Sequence, residues 1–252
     1  MANAGMRHLL LRGAIAALIA LAVPATAHAT TLKIYPVLIQ LDGKTPVQTM
    51  TIENSSDALA RMQVRVVAWR QENGQDLFED TRDILANPPL FEVAAGAQQI
   101  ARFGLRTTAG ATEKSYRIFL EEIPTERPLA PGEVRTLLRV SIPIFVPAPG
   151  AQPSLDWQVS AAGNRQLSVV VRNTGGAHVH LNRIDIKRAD GSALTTRQES
   201  VYILPGATRN FLLDTTGMLG AGEKLVLDAT SDTQRLSVNL VSQAGSHGDG
   251  DR

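Results

Sequence analysis

The chain has 252 residues, 44% of them hydrophobic and 19% charged, with a formal net charge of +1 and no cysteine. Near-zero charge with scattered arginines argues against a nucleic-acid binder, which would carry a basic stripe. Without cysteine there is no thiol catalysis, no cysteine metal site and no disulfide, so each domain must stand on an apolar core.

Residues 1–29 read as a cleavable signal peptide. Arg7 and Arg12 make the start basic, AIAALIALAV is apolar, and PATAHA ends it with Ala27 and Ala29 at the A-x-A positions. The apolar run between Arg12 and Pro24 is too short for a membrane span, which needs about 20 residues. The expectation is an exported chain beginning near Thr30, with no membrane insertion.

Strand signals follow throughout. TLKIYPVLIQL (31–41) is β-rich, and its Pro36 suits an edge or a bend better than a central ladder. VQTMTIEN (47–54) and ARMQVRVVAWR (60–70) alternate with period two on either side of an Asn54–Asp57 turn, and ENGQ (72–75) signals another turn. After the breaker NPP (87–89), LFEVAAGAQQIARFGL (90–105) reads as strand, Ala95-Gly96 turn, strand; YRIFLEEIP (116–124) is a further strand. About seven short strands at turn-rich spacing predict an immunoglobulin-like sandwich, and no stretch sustains a helical period.

VRTLLRVSIPIFVP (134–147) is unusual. Val134, Thr136, Leu138, Val140 and Ile142 share one face, with Arg135, Leu137, Arg139 and Ser141 on the other. Fully extended it would run about 45 Å, where about 20 Å is usual. Two readings stand open. Either the strand is buried on both faces, or its rim is left unpaired for a partner strand, an edge that proteins normally blunt.

A Pro/Gly-rich linker at 148–152 separates the first domain (30–147) from a second (153–243), and a Gly-rich polar tail (244–252) follows. The second half repeats the pattern of the first. TIENSSDALARMQVRV matches VVVRNTGGAHVHLNRI, and FEVAAGAQQIARF matches YILPGATRNFLL, in the order of apolar runs and turn residues.

Chemistry is sparse. G-x-S-x-G, H-E-x-x-H and P-loop patterns are missing, so the chain is not expected to be an enzyme or to need a cofactor. His178 and His180 stand two apart on one strand face, a possible metal pair lacking a third ligand; no metal site is expected. Glu121 and Glu122 are adjacent in a strand and point to opposite faces, so they cannot converge on one substrate. Asp76, Glu79, Asp80 and Asp83 lack the spacing of a calcium loop and read as a solvated hairpin.

SYRIFLEEIP followed by VRTLLRVSIPIFVPAP resembles the signature region of the PapD-like periplasmic pilus chaperones of the chaperone–usher pathway. NPPLFEVAAGAQQIARFGLR and IYPVLIQLDG resemble their preceding segments, and the wording is most similar to the archaic, spore-coat-like branch. The resemblance implies two immunoglobulin-like domains in a boomerang. It also implies a periplasmic chaperone that holds pilin-like secreted subunits by donor-strand complementation and passes them to an outer-membrane usher. Val134, Thr136, Leu138, Val140 and Ile142 would then form the donor face, or Leu137 if a bulge reverses the phase. The family's basic pair is unmatched here, since Leu38 or Ile39 and Ile142 stand at its positions. Arg117, Arg139 and Lys33 are the candidate anchors for a subunit's terminal carboxylate. The alternative is an exported structural or adhesive β-domain surface protein.

Overall fold

The computed structural model describes residues 31–124 and 135–243, which form strands, turns and loops without a helix. The readings of a signal peptide at 1–29, of Val134 and of the tail at 244–252 lie outside them. Ten strands build the first unit: β1 (Leu32–Tyr35), β2 (Ile39–Gln40), β3 (Val47–Asn54), β4 (Ala60–Glu72), β5 (Gln75–Asp80), β6 (Ile84–Asn87), β7 (Leu90–Val93), β8 (Gln98–Leu105), β9 (Lys114–Glu122) and β10 (Arg139–Val146). One sheet runs β1-β3-β8-β6; the other runs β2-β10-β9-β4-β5, with β7 added to β4. Alternation decides which faces meet. Met50 and Ile52 of β3, Met62 and Val64 of β4, and Ile118 and Leu120 of β9 are buried in one core between the sheets.

Seven strands make the second unit: β11 (Leu155–Gly163), β12 (Gln166–Asn173), β13 (Val179–Arg188), β14 (Ala193–Ile203), β15 (Thr208–Asp214), β16 (Lys224–Ser231) and β17 (Arg235–Val241). They form sheets β11-β12-β15 and β14-β13-β16-β17 around Leu167, Val169, Leu181, Ile184 and Leu227.

The internal pattern seen in the sequence has a physical counterpart. Asn54 closes one corner by donating from Nδ2 to the carbonyls of Ala58 (2.7 Å) and Val93 (2.9 Å). Asn173 closes another by donating to those of Ala177 (2.7 Å) and Ile203 (3.0 Å). Gly96 (φ 70°) and Gly206 (φ 79°) turn in the left-handed region beside them, and each donates its N–H to the corresponding asparagine carbonyl.

The chain between the units is clamped. Gly176 N–H donates to the Gln152 carbonyl (2.9 Å), and Thr174 N–H to that of Ser154 (2.8 Å). A Cβ on Gly175 would lie 2.4 Å from both the Gln152 oxygen and the Ser154 nitrogen, so backbone would have to move. Gly175→Ala is therefore expected to lower the unfolding free energy by about 2 kcal/mol, as overpacking does, read from the urea midpoint. An unchanged midpoint would mean that the clamp is soft.

Candidate functional site

β10 is the element around which the site is built. It pairs with β9 in unbroken register from Arg139↔Glu121 to Val146↔Lys114. Its other edge meets β2 only at Ile144↔Ile39 and Phe145↔Gln40. The cause is local: β1 belongs to the opposite sheet, and the chain crosses at Pro36–Leu38 to join β10 for only two residues.

Hydrogen bonds fix the backbone phase. Leu41 N–H donates to the Phe145 carbonyl (3.0 Å), and Glu122 N–H to the Leu138 carbonyl (2.8 Å). Even-numbered residues of β10 thus aim their backbone at β9, and odd-numbered ones aim theirs at the opposite edge. Among the described residues no strand faces the N–H and C=O groups of Arg139 and Ser141. Pro143 contributes a carbonyl and no N–H, which an edge position tolerates.

The expected long strand is shorter than its sequence pattern. β10 spans eight residues, and 135–138 carry no strand assignment, although Leu138 still bonds to the end of β9. The two halves of the strand differ. From Ile142 to Val146 every residue is buried: Ile142, Ile144 and Val146 enter the first core, while Phe145 packs toward the second unit. From Arg139 to Ser141 the edge is open. Ile142, expected on the donor face, is 2% exposed and fills its own domain's core. Leu138 and Val140 are half-buried, Thr136 is exposed, and no bulge reverses the phase to Leu137, which is 44% exposed on the opposite side.

The three candidate anchors are not brought together. Lys33 lies on β1, in the other sheet, with its Nζ 2.7 Å from Glu53. Arg139 is held by Glu121 (3.0 Å) and lies 4.4 Å above the Phe119 ring. Arg117 differs. Its guanidinium sits 3.8 Å over the Trp69 ring and 5.3 Å from that of Tyr202, with no hydrogen bond or ion pair among the described residues. Desolvation lowers its pKa, opposed by the charge of Asp76 and by Tyr202; an arginine stays protonated regardless. A half-buried cation set against aromatic faces is a place for an anion.

Arg117 lies at the junction of the units, a region the sequence did not single out. Trp69 and Phe145, from the outward face of the first unit, join the second unit's core cluster. His178 stacks on Phe145 at 3.6 Å, and His180 on Tyr202 at 4.1 Å. Each imidazole has its own carboxylate: Glu113 at 2.7 Å from His178 Nδ1, and Asp232 at 2.8 Å from His180 Nδ1. The histidines are thus parts of the junction, not a free pair. Among the described residues no group of three or more His, Cys, Asp or Glu could hold a metal. His180 Nε2 is also 3.0 Å from Ser200 Oγ. Asp232, His180 and Ser200 therefore lie at triad distances, yet Ser200 does not line the cleft onto which the other two open.

The paired glutamates serve β10. Glu121 holds Arg139, and Glu122 Oε2 accepts the Leu138 N–H at 3.1 Å. The acidic hairpin is not simply solvated. Asp83 accepts from the Tyr116 hydroxyl (2.7 Å), and Asp76 reaches Arg209 of the second unit (2.6 Å).

Comparison with known proteins agrees with this geometry. Residues 31–151 match the family described as "Pili and flagellar-assembly chaperone, PapD N-terminal domain". The first unit is thus a PapD-type chaperone N-terminal domain, a match that spans just under half of the chain. The chaperones of this family are non-catalytic and work in pilus and fimbrium biogenesis along the chaperone–usher pathway. No curated protein matches the chain by sequence. Similar solved structures include the CsuC–CsuE chaperone–tip subunit pre-assembly complex of archaic Csu pili from Acinetobacter baumannii. That match is 19% identical with a TM-score of 0.63, covering 84% of this chain and 99% of that one. The E. coli chaperone DraB is 18% identical at a TM-score of 0.56, with 85% and 98% covered. The Salmonella enterica SafA pilin–SafB chaperone complex is 14% identical at 0.56, with 84% and 98% covered. The shared fold is all-β, with two sheet-rich domains in a boomerang-like arrangement.

Proposed function

We propose that this chaperone binds incompletely folded, pilin-like secreted subunits in the periplasm by lending them the open edge of β10, and that it passes them to an outer-membrane usher. Subunit and usher contacts are typical of the family. On this reading a leader at 1–29 is removed, and immunoglobulin-like domains at 30–147 and 153–243 flank a linker at 148–152. The observation that carries the proposal is the free ladder at Arg139 and Ser141 beside the half-buried Leu138 and Val140. A guest strand satisfies those backbone groups, and the two side chains enter its core, with Thr136 beyond them as a small residue. Each apolar side chain transferred from water contributes about 1.5–3 kcal/mol.

Arg117 is the anchor for the guest's terminal carboxylate, in preference to Arg139 and Lys33, whose charges are already paired. Losing a charge-assisted contact costs about 1.5–3 kcal/mol. Arg117→Ala is thus expected to weaken capture of a co-expressed subunit by about tenfold or more, while Lys33→Ala leaves it unchanged. One-to-one co-purification with the subunit supports the role. Fibres formed by this chain alone would instead make it a structural protein, and unchanged capture by Arg117→Ala would place the anchor elsewhere.

A further inference from the structure

A carboxylate of this chain, that of Asp76, lies near Arg117. Asp76 lies on β5, directly across from Gln71 of β4, two residue pairs beyond Trp69↔Phe78 and on the same face of the ladder. Trp69 is the residue whose ring carries the Arg117 guanidinium. Two side chains hold Asp76 there, Gln71 of the first domain and Arg209 of the second. Arg209 Nη2 is 2.6 Å from Asp76 Oδ1, its Nη1 donates to the Gly74 carbonyl, and Gln71 Nε2 donates to the same Asp76 oxygen at 2.8 Å.

We infer that Arg209 is a positioning residue: it holds the Asp76 carboxylate, and so keeps the Arg117 guanidinium open for the carboxylate of a guest. The inference rests on the anchor role of Arg117 and adds a way in which the second domain controls it. The farther of the two rings beside Arg117, that of Tyr202, also comes from the second domain. Domain docking therefore bears on both the anchor and its competitor. The electrostatic pull of Asp76 on Arg117 is felt even with Arg209 in place.

Cutting this contact need not unhinge the domains. Gln71 bridges them independently, donating from Nε2 to the Tyr202 carbonyl (3.0 Å) and accepting the Leu204 N–H at Oε1 (3.0 Å). The stacks of His178 on Phe145 and of Trp69 against Tyr202 cross the same junction.

The test compares Arg209→Ala with Arg209→Ala/Asp76→Asn. A guest-free readout is the Arg117 Nε–Hε NMR signal. In Arg209→Ala, Asp76 is expected to pair with Arg117, shifting that signal and slowing rotation of its guanidinium; in the double variant the signal returns to its starting position. The functional readout uses a strand peptide of alternating valine and threonine, with either a free C-terminal carboxylate or an amide. The intact chain is expected to prefer the carboxylate form by about tenfold, the size of a charge-assisted hydrogen bond. Arg209→Ala should lose that preference, and the double variant should regain it. A purely structural role for Arg209 makes both variants equally defective, and that result, or an unchanged Arg117 signal in Arg209→Ala, overturns the inference. If Arg117→Ala keeps the preference while the NMR series behaves as expected, the anchor assignment fails and the positioning by Arg209 stands.

Discussion

Leu138→Glu is expected to abolish recovery of a bound subunit while leaving the chaperone folded. Leu138 stands where β10 leaves the shelter of its own sheet: its backbone still bonds to Glu122, and its side chain is half-buried at the rim. It does not belong to the core that takes Ile142, Ile144 and Val146. On the proposed reading the same side chain enters the guest's interior in the complex. Glutamate there forfeits about 1.5–3 kcal/mol of apolar burial and leaves a carboxylate to be buried unpaired, which costs several kcal/mol more. At about 1.4 kcal/mol per decade, affinity should fall by about a thousandfold or more. Val140→Asp must be read with more care, because Val140 also packs against the first domain's core. Circular dichroism and the urea midpoint of Leu138→Glu separate the cases: an unfolded variant would mean that the rim is structural.

The corner asparagines should show the largest effects on stability. Asn54 is fully buried, and besides its two donated bonds its Oδ1 accepts from Ser56 N–H (3.0 Å) and Ser56 Oγ (2.6 Å). Asn173 is fully buried too, and its Oδ1 accepts the Gly175 N–H at 3.0 Å. Alanine at either position strands two carbonyls and at least one N–H. With about 1–3 kcal/mol for each buried group left unsatisfied, a loss of about 3–4 kcal/mol is expected, a large share of the 5–15 kcal/mol typical of a domain. The two substitutions should act on different domains, so two unfolding transitions, each moved by one variant, are the expected pattern. A loss below about 1 kcal/mol would mean that water replaces the side chain.

The strands were legible because alternation is written into them. Met62 and Val64 point into a core that their spacing predicts, and Pro36 marks the crossing that leaves β10 uncovered. The corner asparagines were visible as a repeated pattern, though not as buried hydrogen-bond hubs. The usable length of β10 was not legible, since only tertiary packing decides that Ile142 is spent on its own domain. Nor could one-dimensional reasoning rank the cations. Lys33, Arg117 and Arg139 look alike until the fold gives Glu53 to the first, Glu121 to the third and two aromatic rings to the second. The junction around Arg117 joins residues far apart in the chain, as with Gln71 and Tyr202, 131 positions apart, and no local pattern announces it.

Amide hydrogen exchange at Arg139 and Ser141 tests the central claim most directly. In the free chaperone both amides should exchange fast, while those of Val140 and Ile142, aimed at β9, are protected. Binding of a subunit should slow the exchange at Arg139 and Ser141. If the two are already protected in the free protein, or stay fast with a subunit bound, β10 is not the strand that is lent.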